Sequence, residues 1–167
     1  KYSNTFIVPE PFIPKKGSKI MSLQSPDKKM SKSDDNLNNI ITLLDEDKII
    51  RKKINSAKTD SEAAIKHKSH KLGINNLLNM YSILTNRTIN SIEKEYEGKL
   101  YSEFKSELSD ITIDVLKPIK EKYKDLMSNQ DYLLKILEKG KEKSNYKASK
   151  TIRKVYRKVG FINEINK

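Results

Sequence analysis

Apolar residues recur at helical spacing from position 101 to position 126. Tyr101, Phe104, Leu108, Ile111, Val115, Ile119, Tyr123 and Leu126 form one continuous stripe. A stripe of that length needs about seven helical turns, so the chain has to be built around a long helix and whatever covers it. Pro118 stands inside the stripe and predicts a kink near Asp114, whose carbonyl loses its hydrogen-bond partner. The same spacing marks a shorter helix over 74–84, through Ile74, Leu77, Leu78, Tyr81 and Leu84. Asp45, followed by Glu46 and Asp47, predicts a capped helix reaching about Ser56. Ser91 predicts the start of a short helix that Gly98 ends, and polar residues 59–73 read as a loop with a brief helical turn. Asn129 is expected to cap a helix to Lys139 with Gly140 as its stop. A last helix over 143–159 would bury Ala148, Ile152, Val155, Tyr156 and Val159.

Residues 1–36 have a different character. They hold every proline except Pro118, and only Lys19–Leu23 and Ile40–Leu43 suggest short extended pieces. The fold class is therefore mainly α, preceded by an irregular N-terminal stretch. The chain has no cysteine, which removes disulfides and thiolate metal sites and suits a reducing compartment. No stretch has the apolar length of a membrane span, and the first residues do not form a signal peptide. His67 and His70 are three apart, but three lysines surround them and no carboxylate or thiol is near in sequence, so no metal site is expected.

The formal charge is +12. A polyanion partner is one reading. A lysine-rich coding bias is the other, because 30 of the 34 basic residues are lysine. The distribution says more than the sum. Positions 139–158 carry nine basic residues and one acid, Glu142. The last helix places Lys147, Lys150, Arg153, Lys154, Arg157 and Lys158 on one face, which is either a solvated surface or a phosphate-contacting one.

The chemistry-bearing segment is Lys29-Met30-Ser31-Lys32-Ser33. Two lysines three apart put two compact, mobile point charges on one turn, which suits a polyphosphate whose negative charge is growing. Ser31 and Ser33 add hydroxyl donors. Asp34-Asp35-Asn36 look like a helix start whose backbone N–H groups would face the same anion. The plain alternative is a lysine-rich surface loop capping a helix.

The pentad matches the KMSKS motif of class I aminoacyl-tRNA synthetases, and its flanks resemble one family, the tryptophanyl-tRNA synthetases of bacterial or organellar type. Upstream stand Val8-Pro9-Glu10-Pro11-Phe12-Ile13-Pro14, Ile20-Met21-Ser22-Leu23, Pro26 and Lys28. Downstream stand Ser33-Asp34-Asp35-Asn36, Ile41-Thr42-Leu43-Leu44-Asp45, Lys52-Lys53-Ile54, Thr59-Asp60-Ser61 and Gly73-Ile74-Asn75-Asn76-Leu77-Leu78. Tyr96-Glu97-Gly98-Lys99, Tyr101, Phe104-Lys105, Gly140, Lys143, Ala148 and Gly160 continue the likeness, which runs from about Phe6 to Phe161.

The resemblance implies an ATP-dependent ligase that joins tryptophan to the α-phosphate of ATP, expels pyrophosphate and passes the aminoacyl group to tRNA(Trp). It makes Lys29 and Lys32 the catalytic lysines. Ile20, Lys29, Met30, Ser31, Lys32 and Ser33 become the ATP-binding set, with Ile20 bordering the adenine, and Mg²⁺ accompanies the nucleotide. The phosphate-contacting reading of the last helix makes Lys147, Lys150, Arg153, Lys154 and Arg157 the candidate tRNA-binding residues. Residues 1–44 would be the end of a Rossmann-type α/β catalytic domain, 45–142 a helical anticodon-binding bundle, and 143–167 a helix packing back toward the catalytic domain. The intact protein would be a cytoplasmic homodimer. The family's His-x-Gly-His motif does not occur, and Lys1 begins without a methionine. The expectation is a C-terminal portion, inactive alone, with most of the tryptophan pocket outside it. The competing reading is a non-catalytic helical tRNA-binding module in which the pentad is only a basic loop.

Overall fold

The computed structural model describes residues 4–14 and 17–162. Five α-helices carry the fold: α1 (Asp47–Asn55), α2 (Leu72–Thr85), α3 (Ile89–Glu95), α4 (Tyr101–Ser128) and α5 (Gln130–Val159). A 3-10 turn, Leu37–Asn39, precedes them. The described residues fall into two units. One is Ile13–Lys122; the other holds described residues 4–12 and 123–162, and the division falls within α4.

The core lies in the first unit. Ile50 and Ile54 of α1, Ile74, Leu77, Leu78 and Tyr81 of α2, Ile92 of α3, and Phe104 and Leu108 of α4 are all buried. At its centre Tyr81 stacks on Phe104 at 5.6 Å, and Tyr96 meets both rings edge-on at 5.9 and 5.0 Å. Such ring pairs contribute about 0.5–1.5 kcal/mol each beyond the area they bury. The Tyr81 hydroxyl donates to Glu107 Oε1 at 2.9 Å, so a polar tip is satisfied at the edge of an apolar cluster.

Three lysines are buried here, and each has a local reason. Lys53 pairs with Asp45 at 2.6 Å. Lys71, with a fully buried side chain, reaches Asp60 at 3.0 Å and Glu62 at 2.9 Å and donates to the Ala64 carbonyl. Burial opposes its charge, but Glu62, Asp60 and Tyr101 hold its pKa well above the ordinary lysine value. Lys105 has oxygen acceptors instead: Ala57 O at 2.7 Å, Thr59 Oγ1 at 3.2 Å and Asn55 O at 3.4 Å. Burial holds its pKa below the usual lysine range. These bonds lie at the C-terminal end of α1, where a helix favours positive charge.

Several expectations need correction. Asp45 does not cap α1. Its carboxylate accepts from the Thr42 N–H and hydroxyl and from Lys53, and Glu46 takes the cap position without a side-chain bond. Thr88, not Ser91, caps α3 by accepting from the Ser91 N–H. Gly140 does not stop a helix. The two helices expected on either side of it are one, α5, running from the Asn129 cap to Gly160. Nothing else packs within 4 Å of where a Gly140 side chain would begin, so no neighbour forces a break there. Gly160 is the true stop: its φ of 85° is the left-handed conformation glycine allows, and its N–H donates to Tyr156 O. No residue of α5 is buried, so Ala148, Ile152, Val155, Tyr156 and Val159 do not form the expected core stripe; Val155 and Tyr156 are only half-buried. The α4 helix continues through Pro118, and its stripe is buried only in part: Phe104 and Leu108 are enclosed, while Val115, Ile119 and Tyr123 are exposed. The short extended pieces reduce to one antiparallel bridge, Met21 with Lys29, and no longer strand forms among the described residues.

Candidate functional site

The lysine loop grows out of that bridge. Ser22 N–H donates to Lys28 O and Met30 N–H to Ile20 O, both at 2.9 Å, so Ile20–Ser22 and Lys28–Met30 run as a narrow two-stranded ribbon. A ribbon this short is marginal by itself. Asn76, a buried residue of α2, grips its outer edge: Met21 N–H donates to Asn76 Oδ1 at 2.9 Å and Asn76 Nδ2 donates to Met21 O at 2.8 Å. Beyond the bridge, Leu23 N–H donates to Asn39 O and Leu23 O accepts from Lys58 N–H.

Lys29, Ser31, Lys32 and Ser33 are exposed, whereas Met30 and Ile20 are half-buried. Ile20 and Met30 help line an apolar cavity of about 320 Å³ with Ile41, Met80, Leu84 and Leu116. The Met30 side chain therefore gives the loop an apolar footing while its two lysines face solvent. Ser31 and Ser33 share a hydroxyl contact at 3.1 Å.

The helix start expected after Ser33 is smaller than its sequence suggests. Asn36 caps the three-residue 3-10 turn by accepting from Asn38 N–H, and Asp34 Oδ1 accepts from Asn36 N–H. The Asn36 and Asn38 N–H groups are thus taken by the Asp34 and Asn36 side chains, so they do not face an anion. The Asn36 N–H and the Asn39 amide hold the Asp34 carboxyl below its ordinary value. Asp34 thus ties the exit of the loop to Asn39.

In the other unit, Lys150, Arg153, Lys154 and Arg157 of α5 line one open groove with Phe161. Their i, i+3, i+4, i+7 spacing explains the shared face. The Lys150 ammonium stands 4.5 Å from the Tyr146 ring centroid. Phe161 lies just past the Gly160 turn and packs edge-on against Tyr156 at 5.8 Å. Lys147 does not line the groove, and Lys158 turns to Asn4 O and Thr5 Oγ1.

His70 comes within 3.1 Å of Glu62, a contact the eight-residue separation hides. Glu62 is also shared by Lys68 and Lys71, and no three His, Asp or Glu side chains among the described residues are grouped to hold a metal. Sequence reading missed Asn76 and Asp45 as organisers. The available signal for Asn76 was a polar residue on the buried face of a helix, between Ile74 and Leu77.

The family model described as tRNA synthetases class I (W and Y) matches residues 1–117. The chain belongs to that family. Its relatives include the tryptophan–tRNA ligases of Clostridium perfringens, 44% identical, and Bacillus subtilis, 48% identical, each over 96% of this chain and 48% of the relative. The chain therefore spans about half the length of the curated relatives it matches. The fold of this family member is similar to the crystal structure of tryptophanyl-tRNA synthetase from Mycoplasma pneumoniae, with a TM-score of 0.78 at 29% identity, over 92% of this chain and 47% of that one. No helix among the described residues is long and apolar enough to cross a membrane.

Proposed function

We propose that the chain is the C-terminal portion of a tryptophan–tRNA ligase, carrying the KMSKS loop. The observation that carries this reading is identity of 44–48% to ligases of that name over 96% of the chain, a stretch that includes the lysine pentad. In this reading residues 1–44 close a Rossmann-type catalytic domain and the helices after them form an anticodon-binding bundle. The boundary expected between residues 142 and 143 falls inside the continuous helix α5, and residues 1–3 and 163–167 lie outside the described residues.

The reaction forms a bond between the tryptophan carboxylate and the α-phosphate of ATP and breaks the bond to the β-phosphate. Charge accumulates on the leaving pyrophosphate. Lys29 and Lys32, exposed on a loop with a fixed base, supply two cations to those oxygens. They lower the barrier because they bind the transition state more tightly than the substrate. Met30, Ser31 and Ser33 shape the loop and contact the nucleotide, and Ile20 borders the adenine. Mg²⁺ arrives as part of the nucleotide substrate. The basic groove of α5 contacts tRNA(Trp) phosphates through Lys150, Arg153, Lys154 and Arg157, with Lys147 one turn earlier. The intact ligase works as a cytoplasmic homodimer.

The test is tryptophan-dependent ATP–pyrophosphate exchange by the full-length gene product. Lys29→Ala and Lys32→Ala are each expected to lower exchange about 100-fold or more while tryptophan binding persists. A product that binds tRNA but exchanges with no amino acid would replace this reading with a non-catalytic tRNA-binding module.

A further inference from the structure

We infer that Asn76 is a positioning residue for the lysine loop, its carboxamide standing in for a third strand that the ribbon lacks. The inference rests on reading the loop as the phosphate site. Four observations carry it. Met21 and Lys29 face each other as an antiparallel pair whose flanking bonds run from Ser22 N–H to Lys28 O and from Met30 N–H to Ile20 O. In such a pair the facing residues do not bond each other, so the N–H and C=O of Met21 point away from Lys29. Asn76 meets both with a donor and an acceptor at 2.8 and 2.9 Å, the pairing a neighbouring strand would provide. Asn76 itself is held still, 3% exposed on a helix whose Ile74, Leu77 and Leu78 are core residues.

The position is held at close quarters. A side chain in place of Gly73, three residues before Asn76, would come 2.1 Å from Lys58 O, so α2 and the segment after α1 touch through backbone. Lys58 N–H in turn donates to Leu23 O, on the same stretch of chain that Asn76 grips at Met21. The ribbon edge opposite the loop is thus registered against α2 at Met21 and against Lys58 at Leu23. Only an asparagine satisfies both Met21 groups at this reach. Aspartate keeps the acceptor but sets a second acceptor against Met21 O, and alanine leaves both backbone groups unpaired.

Because catalysis depends on where Lys29 and Lys32 stand, loosening the ribbon is expected to lower turnover with little change in amino-acid affinity. A misplacement near 1 Å can cost about 100-fold. The experiment pairs two readouts on the full-length gene product, using Asn76→Ala and the milder Asn76→Asp. Amide hydrogen exchange at Ser22 and Met30 is expected to accelerate about 10-fold or more, while Leu77–Tyr81 keep their protection. Pyrophosphate exchange is expected to lose about 10–100-fold in kcat with KM for tryptophan within about twofold. Unchanged protection at Ser22 and Met30, or unchanged kcat in a variant that has lost it, overturns the proposal. So does a loss of protection throughout α2 in both variants, which would make Asn76 a structural residue only. If the wild-type protein exchanges with no amino acid, the ligase reading fails separately. The amide protection then decides by itself whether Asn76 holds the loop.

Discussion

The Ile13–Lys122 unit and helix α5 share a lysine-rich alphabet and an amphipathic period, yet they use them in opposite ways. In the first, Lys53, Lys71 and Lys105 are buried, each beside carboxylates or carbonyls, and Tyr81, Tyr96 and Phe104 form an aromatic cluster in the core. In the second, thirty residues run without one buried side chain, and four cations line an open groove. A 3.6-residue stripe states only which face a helix can bury. Whether it does depends on a partner surface, and that belongs to the tertiary fold. The first unit is a scaffold that fixes a loop; α5 is a display surface.

The largest expected effect comes from the core. Phe104→Ala, at a side chain with no exposure that stacks on Tyr81, should cost about 3–5 kcal/mol in urea unfolding. A loss below about 1 kcal/mol would mean that the aromatic cluster is not the centre of the unit. Next is Lys71→Met, which leaves Asp60, Glu62 and the Ala64 carbonyl without their shared cation. It should cost about 1–3 kcal/mol, toward the lower end because both carboxylates are partly hydrated.

A smaller effect should appear in acid. Hydrogen bonds from Lys71 and His70 draw the Glu62 pKa down to about 2 from an ordinary 4.5. A carboxylate depressed by folding stabilises above its unfolded pKa, and that stabilisation is lost as pH falls through the folded value. Stability should therefore decline between about pH 4.5 and 2, and Glu62→Gln should flatten that part of the curve. An unchanged slope would show that Glu62 is not a working partner of Lys71. The smallest effect belongs to α5. Ile152→Ala, at 39% exposure, should shift unfolding by less than about 0.5 kcal/mol, which chemical denaturation can bound. A core-sized loss there would show that its apolar stripe is covered in the intact protein.

Helices α2 and α4 were legible because their apolar spacing is long and regular, and the start of α5 because the Asn129 cap is local chemistry. Gly140 misled because a glycine signals a stop only when the chain beyond it departs from the helix; here helical residues continue on both sides. Asp45 misled for a related reason. Its partners are Thr42 behind it and Lys53 two turns ahead, and the buried lysine outbid the helix end. The lysine loop could be read directly, since all five residues are contiguous. Its support could not, because Asn76 lies fifty-five positions from Met21 and nothing in local sequence joins them.

The most direct test places the two cationic regions side by side in the full-length gene product. Lys29→Ala/Lys32→Ala is compared with Lys154→Ala/Arg157→Ala, measuring pyrophosphate exchange and the salt dependence of tRNA(Trp) binding on the same preparations. The loop pair should abolish exchange and leave tRNA affinity within a few-fold. The α5 pair should keep exchange, weaken tRNA binding, and reduce the slope of log affinity against log salt by about one to two. Exchange that survives the loop pair, or disappears with the α5 pair, would contradict the assignment of catalysis to the loop and of tRNA contact to the helix.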